Sequence, residues 1–309
     1  MHKSIVILGA TSSGKSSLAI KIAKDFNGEI ISVDSRQVFK NMDLGTGKVE
    51  GAWENGIYVY KKIPHHLIDF VNPKDDYNVS HFKRDCEEKI FEISERGKIP
   101  ILCGGTGFWI QAVIDNVVLP RVKPNSKLRQ ELKDKTVSEL FEILEKIDPK
   151  RASTIDKKNG VRLIRAIEIA KNLGKVPELE IKRESNIRKI KNIQVEFLQI
   201  GISIDKNNLA QKIQTRLRER FDAGMIEEIL ALYKKYDLGP EKIQNLGIAY
   251  SLVPLYRKGE MTRKELFNQI VQAEKKYAKR QITWFKKDLR IFWSNNSFII
   301  KDTVEKFLN

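Results

Sequence analysis

The chain has 309 residues, with 56 Lys+Arg against 40 Asp+Glu for a formal charge of +16 at pH 7. That length holds one large domain or a core with a smaller second one, and no apolar run approaches the eighteen or so residues of a membrane span. The positive excess exceeds what a small phosphorylated substrate needs and suits a polyanion such as RNA; a Lys-favouring genome and an anionic membrane surface are the other readings.

Residues 5–8, Ile-Val-Ile-Leu, read as a first strand. Gly9-Ala10-Thr11-Ser12-Ser13-Gly14-Lys15-Ser16 follows and satisfies G-x-x-x-x-G-K-[ST], and residues 16–25 read as a helix. In that context the glycines let successive N–H groups and a helix N-terminus converge on an anion. Lys15 adds a point charge, and the Ser16 hydroxyl is placed to hold Mg²⁺. The segment predicts binding of a diphosphate or triphosphate.

Residues 29–33 read as a second strand, ending at Asp34. A carboxylate at a strand end can serve as a general base or support a bound Mg²⁺ indirectly; equally, it can cap a turn. Arg36 and Gln37 offer the hydrogen-bonding and stacking groups that read a nucleobase. Residues 40–78 form a long polar, glycine-rich stretch. Within it, His65 and His66 would point apart on a strand and have no third ligand at suitable spacing, so a hydrogen-bonding role is expected.

Val79–Glu95 reads as a helix with Phe82, Cys86, Ile90 and Ile93 on one face, and residues 99–103 as a buried strand running into Gly104-Gly105-Thr106-Gly107. Cys86 and Cys103 are the only cysteines, without metal-ligand spacing, and predict reduced core thiols in a cytoplasmic protein. The chain starts directly into a strand, with no leader expected. Short apolar strands between helices imply an α/β fold, a P-loop NTPase-like parallel sheet flanked by helices. Ligands of such sheets bind at the carboxyl ends of the strands, which places the phosphate loop, Asp34 and the 104–107 turn in one crevice.

Beyond Leu119 the texture changes. Pro120, Pro124 and Pro149 punctuate helical segments at 126–135, 137–147 and 161–172. Residues 177–192 are highly charged and read as a return linker or mobile loop, and 193–202 as a strand rejoining the sheet. The expected organisation is a core of 1–118 plus 193–309 with a helical insertion domain at 119–192. Further helices are expected at 209–236, 243–257 and 263–286.

Arg162 and Arg165 share a helical face, and Arg216, Arg218 and Arg220 crowd another helix; a phosphate clamp and a solvated face are the two readings. Residues 275–287 interleave cations with aromatics, a pattern that suits RNA, with Tyr277, Trp284 and Phe285 expected in the core and the cations outward.

Seven ordered blocks together resemble the tRNA dimethylallyltransferase (tRNA isopentenyltransferase) family. They are the 9–16 loop; Asp34-Ser35-Arg36-Gln37-Val38-Phe39; Met42-Asp43-Leu44-Gly45-Thr46-Gly47-Lys48; His65-His66-Leu67-Ile68-Asp69; Gly104-Gly105-Thr106-Gly107-Phe108-Trp109; Arg162-Leu163-Ile164-Arg165-Ala166-Ile167-Glu168; and Tyr277-Ala278-Lys279-Arg280-Gln281-Ile282-Thr283-Trp284-Phe285. The resemblance implies Mg²⁺-dependent transfer of a dimethylallyl group from dimethylallyl diphosphate to N6 of the adenosine 3′ of the anticodon, by a monomer that binds no membrane. It further implies that the loop holds the donor's diphosphate. By the same analogy Asp34 is the base, Thr11 contacts the leaving group and Arg216 adds positive charge. Asp34, Ser35, Arg36, Gln37, Thr106, Arg162, Arg165, Gly247, Lys279 and Arg280 would contact the tRNA anticodon stem-loop, over which the insertion closes.

The chain departs from the family pattern at Gly47-Lys48-Val49 (usually Ala-Lys-Pro), Phe108-Trp109 (Leu-Tyr), Gln244 (often Arg) and Ile248-Ala249-Tyr250 (Tyr and a charged residue first). These positions fall among the expected tRNA contacts. The nearest alternative is an adenylate isopentenyltransferase acting on free adenine nucleotides; the insertion and charge favour RNA. A kinase would need the loop for ATP, and a non-catalytic RNA binder leaves the loop and Asp34 without a job.

Overall fold

The computed structural model describes residues 1–178 and 185–309. In chain order the elements are β1 (His2–Leu8), α1 (Lys15–Asp25), β2 (Gly28–Val33), β3 (Ala52–Glu54), β4 (Ile57–Tyr60), β5 (Ile63–His66), α2 (Val79–Glu95), β6 (Ile99–Gly104) and α3 (Gly107–Ile114). Next come α4 (Ser126–Leu132), α5 (Val137–Ile147), α6 (Pro149–Thr154), α7 (Gly160–Leu173), β7 (Ile187–Ile190) and β8 (Ile193–Ile202). The remainder comprises α8 (Lys206–Asp222), α9 (Met225–Lys235), α10 (Pro240–Gln244), α11 (Ile248–Arg257), α12 (Arg263–Phe285), β9 (Phe292–Ser294) and α13 (Ser297–Leu308).

The sheet runs in the order β3-β4-β5-β2-β6-β1-β8-β7, with β9 also on β8. From β5 to β8, and on to β9, every pairing is parallel; β3, β4 and β7 join antiparallel. The central strands are largely apolar because helices cover both faces. Ile5, Val6, Ile7 and Leu8 are each 0% exposed, a burial of about 1.5–3 kcal/mol per side chain. One face packs on α1 and α13 through Ile20, Ile22, Ile300 and Val304, and the other on α2, α3 and the helices after β8. Cys86 and Cys103 are free and buried.

Two compact units emerge: Met1–Asn116 with Lys182–Asn309, and Val117–Ile181. The second unit has its own apolar cluster, including Leu128, Leu140, Leu144, Leu163 and Ile167. Its α5 begins with a reciprocal Thr136–Glu139 capping box, and α7 is capped by Asn159. Buried Glu168 accepts from Arg129, Arg165 and the Asn125 N–H.

Several sequence expectations are corrected. The 40–78 stretch contains β3, β4 and β5, so the sheet is mixed and not purely parallel. In the expected linker at 177–192, β7 forms a hairpin with β8 and belongs to the sheet; residues 179–184 of it lie outside the described residues. The expected helix at 209–236 is broken by Gly224 (φ 98°) into α8 and α9, and that at 243–257 at Gly247 into α10 and α11. Among the described residues no helix is long and apolar enough to cross a membrane.

Candidate active site

Parallel register aligns Leu8 and Val33 with Gly104, so β1, β2 and β6 end together. The segments that follow them meet there. Gly14 adopts φ 98°, a left-handed conformation that a Cβ disfavours, and turns the loop into α1 without a side-chain cap. The first N–H groups of α1 therefore remain available to an anion. Lys15 Nζ donates to Ala10 O at 2.5 Å. Burial brings the Lys15 ammonium down to about 8, with Cys103 and Asp34 opposing the shift and Arg216 adding to it. Lys15, Asp34 and Arg216 thus lie within electrostatic reach of one another.

Asp34 is half-buried, and its Oδ1 accepts from the N–H groups of Arg36 (2.8 Å) and Gln37 (3.3 Å). The turn-capping reading is thereby realised, while Oδ2 has no hydrogen-bond partner among the described residues. Thr106 stands at the N-cap of α3 without capping it; its Oγ1 instead accepts from Ser35 N at 3.2 Å. That contact joins the 104–107 turn to the segment carrying Asp34.

Arg216 projects from α8, half-buried, and donates to Gly47 O at 2.6 Å. Gly47 has φ 63°, and a Cβ there would come within 2.5 Å of Arg216 Nη2, so the glycine departure matches the arginine's position. The Gln37 amide donates to Thr46 O and Gly47 O, which commits it to this loop and leaves Arg36 exposed beside it. Arg220, one turn on, pairs with Glu274 and reaches Leu44 O, whereas Arg218 is exposed over the Phe267 ring. The three arginines therefore do not form one clamp.

Glu228 accepts from the N–H groups of Asp43, Leu44 and Gly45 at 2.7–3.0 Å, and Tyr250 donates to it at 3.3 Å. Lys48 is buried between Asp43 and Asp69. The departures at Trp109 and Tyr250 are packing positions: Trp109 is 6% exposed and stacked on Phe82, and Tyr250 is 1% exposed.

Along α12, Tyr277, Gln281 and Trp284 face this region. Burial, with Asp34 adding, pushes the Tyr277 phenol up to about 12. Trp284 packs over Gly107 and Phe108 and remains 37% exposed. Of the three aromatics expected in the core, only Phe285 is fully there, because Gly107 offers a platform and not a cover. Lys279 and Arg280 are exposed, as expected, and Gly247 caps α11. A small recess of mixed polarity is lined by Leu8, Ile110, Gln111, Gln199, Phe285, Asp288 and Ile291.

In the second unit Arg162 is exposed, whereas Arg165 is spent on Glu168 and on Val122 O at 2.8 Å. The His pair is structural: His66 Nε2 meets buried Glu29 at 2.7 Å, with Arg96 and Lys98, and His65 contacts Ile63 O.

Among the described residues no cluster of three His, Cys, Asp or Glu can hold a metal by itself. The loop does offer hard oxygens: the Ser12 and Ser13 hydroxyls are buried without partners, and Ser16 is exposed on the first turn of α1. Such a donor set suits Mg²⁺, which binds through a few protein oxygens and substrate phosphates.

Sequence reasoning missed Glu228 and Gln281. Gln281 had a signal. It falls in phase with the buried positions Leu266, Ile270, Ala278 and Phe285 of α12, where a polar residue needs a partner.

The fold is that of a P-loop α/β protein. The family model described as IPP transferase matches residues 37–288, and that described as isopentenyl transferase matches residues 2–57. The tRNA dimethylallyltransferase of Finegoldia magna is 40% identical over 298 residues, covering 95% of this chain and 91% of the relative. The crystal structure of the full-length tRNA isopentenylpyrophosphate transferase from Bacillus halodurans aligns with a TM-score of 0.66 at 32% identity, covering 95% and 90%. A eukaryotic dimethylallyltransferase acting on tRNA aligns at 0.73 and 26%, covering 95% and 74%. The chain belongs to the IPP transferase family.

Proposed function

We infer that this protein is a prenyltransferase that moves a dimethylallyl group from dimethylallyl diphosphate to N6 of the adenosine 3′ of the anticodon in tRNA, releasing pyrophosphate. The observation that carries the reading is the grouping of Lys15, Asp34 and Arg216 at the ends of β1 and β2. An anion-binding loop stands beside a carboxylate with one oxygen to spare.

The chemistry follows from that grouping. As the bond between N6 and the allylic carbon forms, the carbon–oxygen bond to the diphosphate breaks. The charge growing on pyrophosphate meets the loop N–H groups, the N-terminus of α1, Lys15 and Arg216. The amine proton passes to Asp34 Oδ2, while Oδ1 keeps the carboxylate oriented through the turn. Thr11 contacts the leaving group, and the remaining loop residues, Gly9 to Ser16, hold its diphosphate. Ser16 Oγ would help hold Mg²⁺, which supplies further charge neutralisation on the diphosphate when bound.

The target adenine must leave its stack to reach the crevice. Arg36, Thr106 and the Ser35 backbone are its guides, and the exposed Arg162, Lys279 and Arg280 meet the stem-loop phosphates, with Gly247 alongside. The protein acts as a cytoplasmic monomer in this reading.

The test offers labelled dimethylallyl diphosphate and Mg²⁺ with unmodified bulk tRNA and AMP side by side. Label is expected in tRNA alone. Label in AMP would move the acceptor to free nucleotides, and label in neither would sink the transfer reaction.

A further inference from the structure

A single buried carboxamide joins the two halves of the crevice. Gln281 is 6% exposed on α12. Its Oε1 accepts from Thr11 N at 2.8 Å, and its Nε2 donates to Gly105 O at 2.9 Å. The residue after Gly105 is Thr106, whose hydroxyl accepts from Ser35 N, and Ser35 follows Asp34. A continuous run of polar contacts therefore links the phosphate loop to the segment that carries the carboxylate.

The folding of α12 does not ask for an amide here. The helix has its own Thr262–Glu265 capping box, and Ala278 and Phe285 fill the core positions on either side. A methionine would occupy nearly the same volume, whereas an amide must be satisfied at both ends to avoid a desolvation cost. The surroundings are fitted to it. A Cβ at position 105 would come within 2.2 Å of Gln281 Nε2, so the bare backbone lets the amide reach its carbonyl. The Thr11 N–H, committed to Gln281, is also withdrawn from the set that faces an anion, which fixes how residue 11 stands on the loop.

We propose that Gln281 is a positioning residue that sets the separation between the allylic carbon, held through its diphosphate on the loop, and the amine facing Asp34. The assignment rests on the transfer reaction inferred above. Displacement requires the reacting atoms about 3–3.5 Å apart, and two substrates seated on separate segments meet that condition only if the segments are held together. Gln281 touches neither reacting atom and acts through Thr11 and Gly105.

The experiment compares wild type with Gln281→Met, which keeps the volume and loses both hydrogen bonds, and Gln281→Glu, which keeps the acceptor for Thr11 N–H and loses the donor. Single-turnover transfer of labelled dimethylallyl to tRNA is measured at saturation, alongside separate dissociation constants for donor and tRNA and a thermal melt. The transfer step of the Met variant is expected to fall roughly tenfold to hundredfold, with the Glu variant between it and wild type. Both dissociation constants are expected to stay within about threefold of wild type, since the loop keeps its own anion-binding groups. A transfer step near wild type in the Met variant overturns the proposal, as does a loss accounted for by weaker binding alone. If the Met variant does not fold, the Glu variant carries the same readouts. A wild-type protein that labels no tRNA overturns the reaction itself, so the wild-type lane separates the two failures.

Discussion

The crevice at the strand ends and the helical unit at Val117–Ile181 are held together differently. In the second unit the polar contacts are local: Asp148 caps α6 and accepts from Val176 N, and Glu168 gathers partners from positions 125, 129 and 165. In the crevice they cross most of the chain, from Thr11 to Gln281, Gly47 to Arg216 and the 43–45 loop to Glu228. A site built from distant segments is oriented by the whole core. A unit built from neighbours can keep its shape while the surface residues on it vary.

Breaking the crevice should produce the largest effects. Asp34→Asn keeps the turn-capping oxygen and removes the proton acceptor, so the transfer rate should drop about a thousandfold with tRNA affinity nearly unchanged. Turnover like wild type would remove Asp34 from the base role. Lys15→Ala should cost roughly a hundredfold in turnover, whereas a simple RNA binder would lose only about one phosphate contact in affinity. Because burial already holds the Lys15 ammonium down to about 8, donor kcat/KM should decline as pH rises through about 8, where the free protein loses that charge. A profile flat to pH 10 would show that the ammonium is not needed for capture of the donor.

The second unit should respond more gently. Glu168→Ala removes the acceptor shared by Arg129, Arg165 and the Asn125 N–H and should destabilise that unit by about 2 kcal/mol, a value discounted because Arg129 is half exposed. Hydrogen exchange should show the loss confined to α4–α7, with tRNA affinity weakened more than donor affinity; exchange raised equally in β1 and β6 would erase the contrast between the regions. Arg162→Ala should be the mildest, lowering tRNA affinity roughly threefold and the salt slope by about one while leaving the melt unmoved. An unchanged salt slope would take Arg162 out of the RNA contacts.

The same contrast explains what the sequence disclosed. The phosphate loop, the strand end at Asp34 and the amphipathic α2 are local patterns, and they were legible. The hairpins at 52–66 were not, because strands of three or four residues among glycines and lysines carry too little alternation. Neither was the role of Glu228, since no local rule pairs a helix carboxylate with backbone N–H groups nearly 190 residues earlier. Gln37 and Arg165 illustrate the converse error: both are polar and well placed in sequence, yet their groups are consumed by neighbouring carbonyls and carboxylates.

The position of β1 bears on how the chain is made. Residues 2–8 lie between β6 and β8, partners roughly 100 and 190 positions later. A nascent chain therefore lacks one of the two strands that flank β1 until residue 202 or so has left the ribosome, and high contact order of this kind slows folding. The fully apolar Ile5–Leu8 run must meanwhile be kept from pairing elsewhere, so overproduction at high temperature should yield aggregates nucleated by the earliest-synthesised strand.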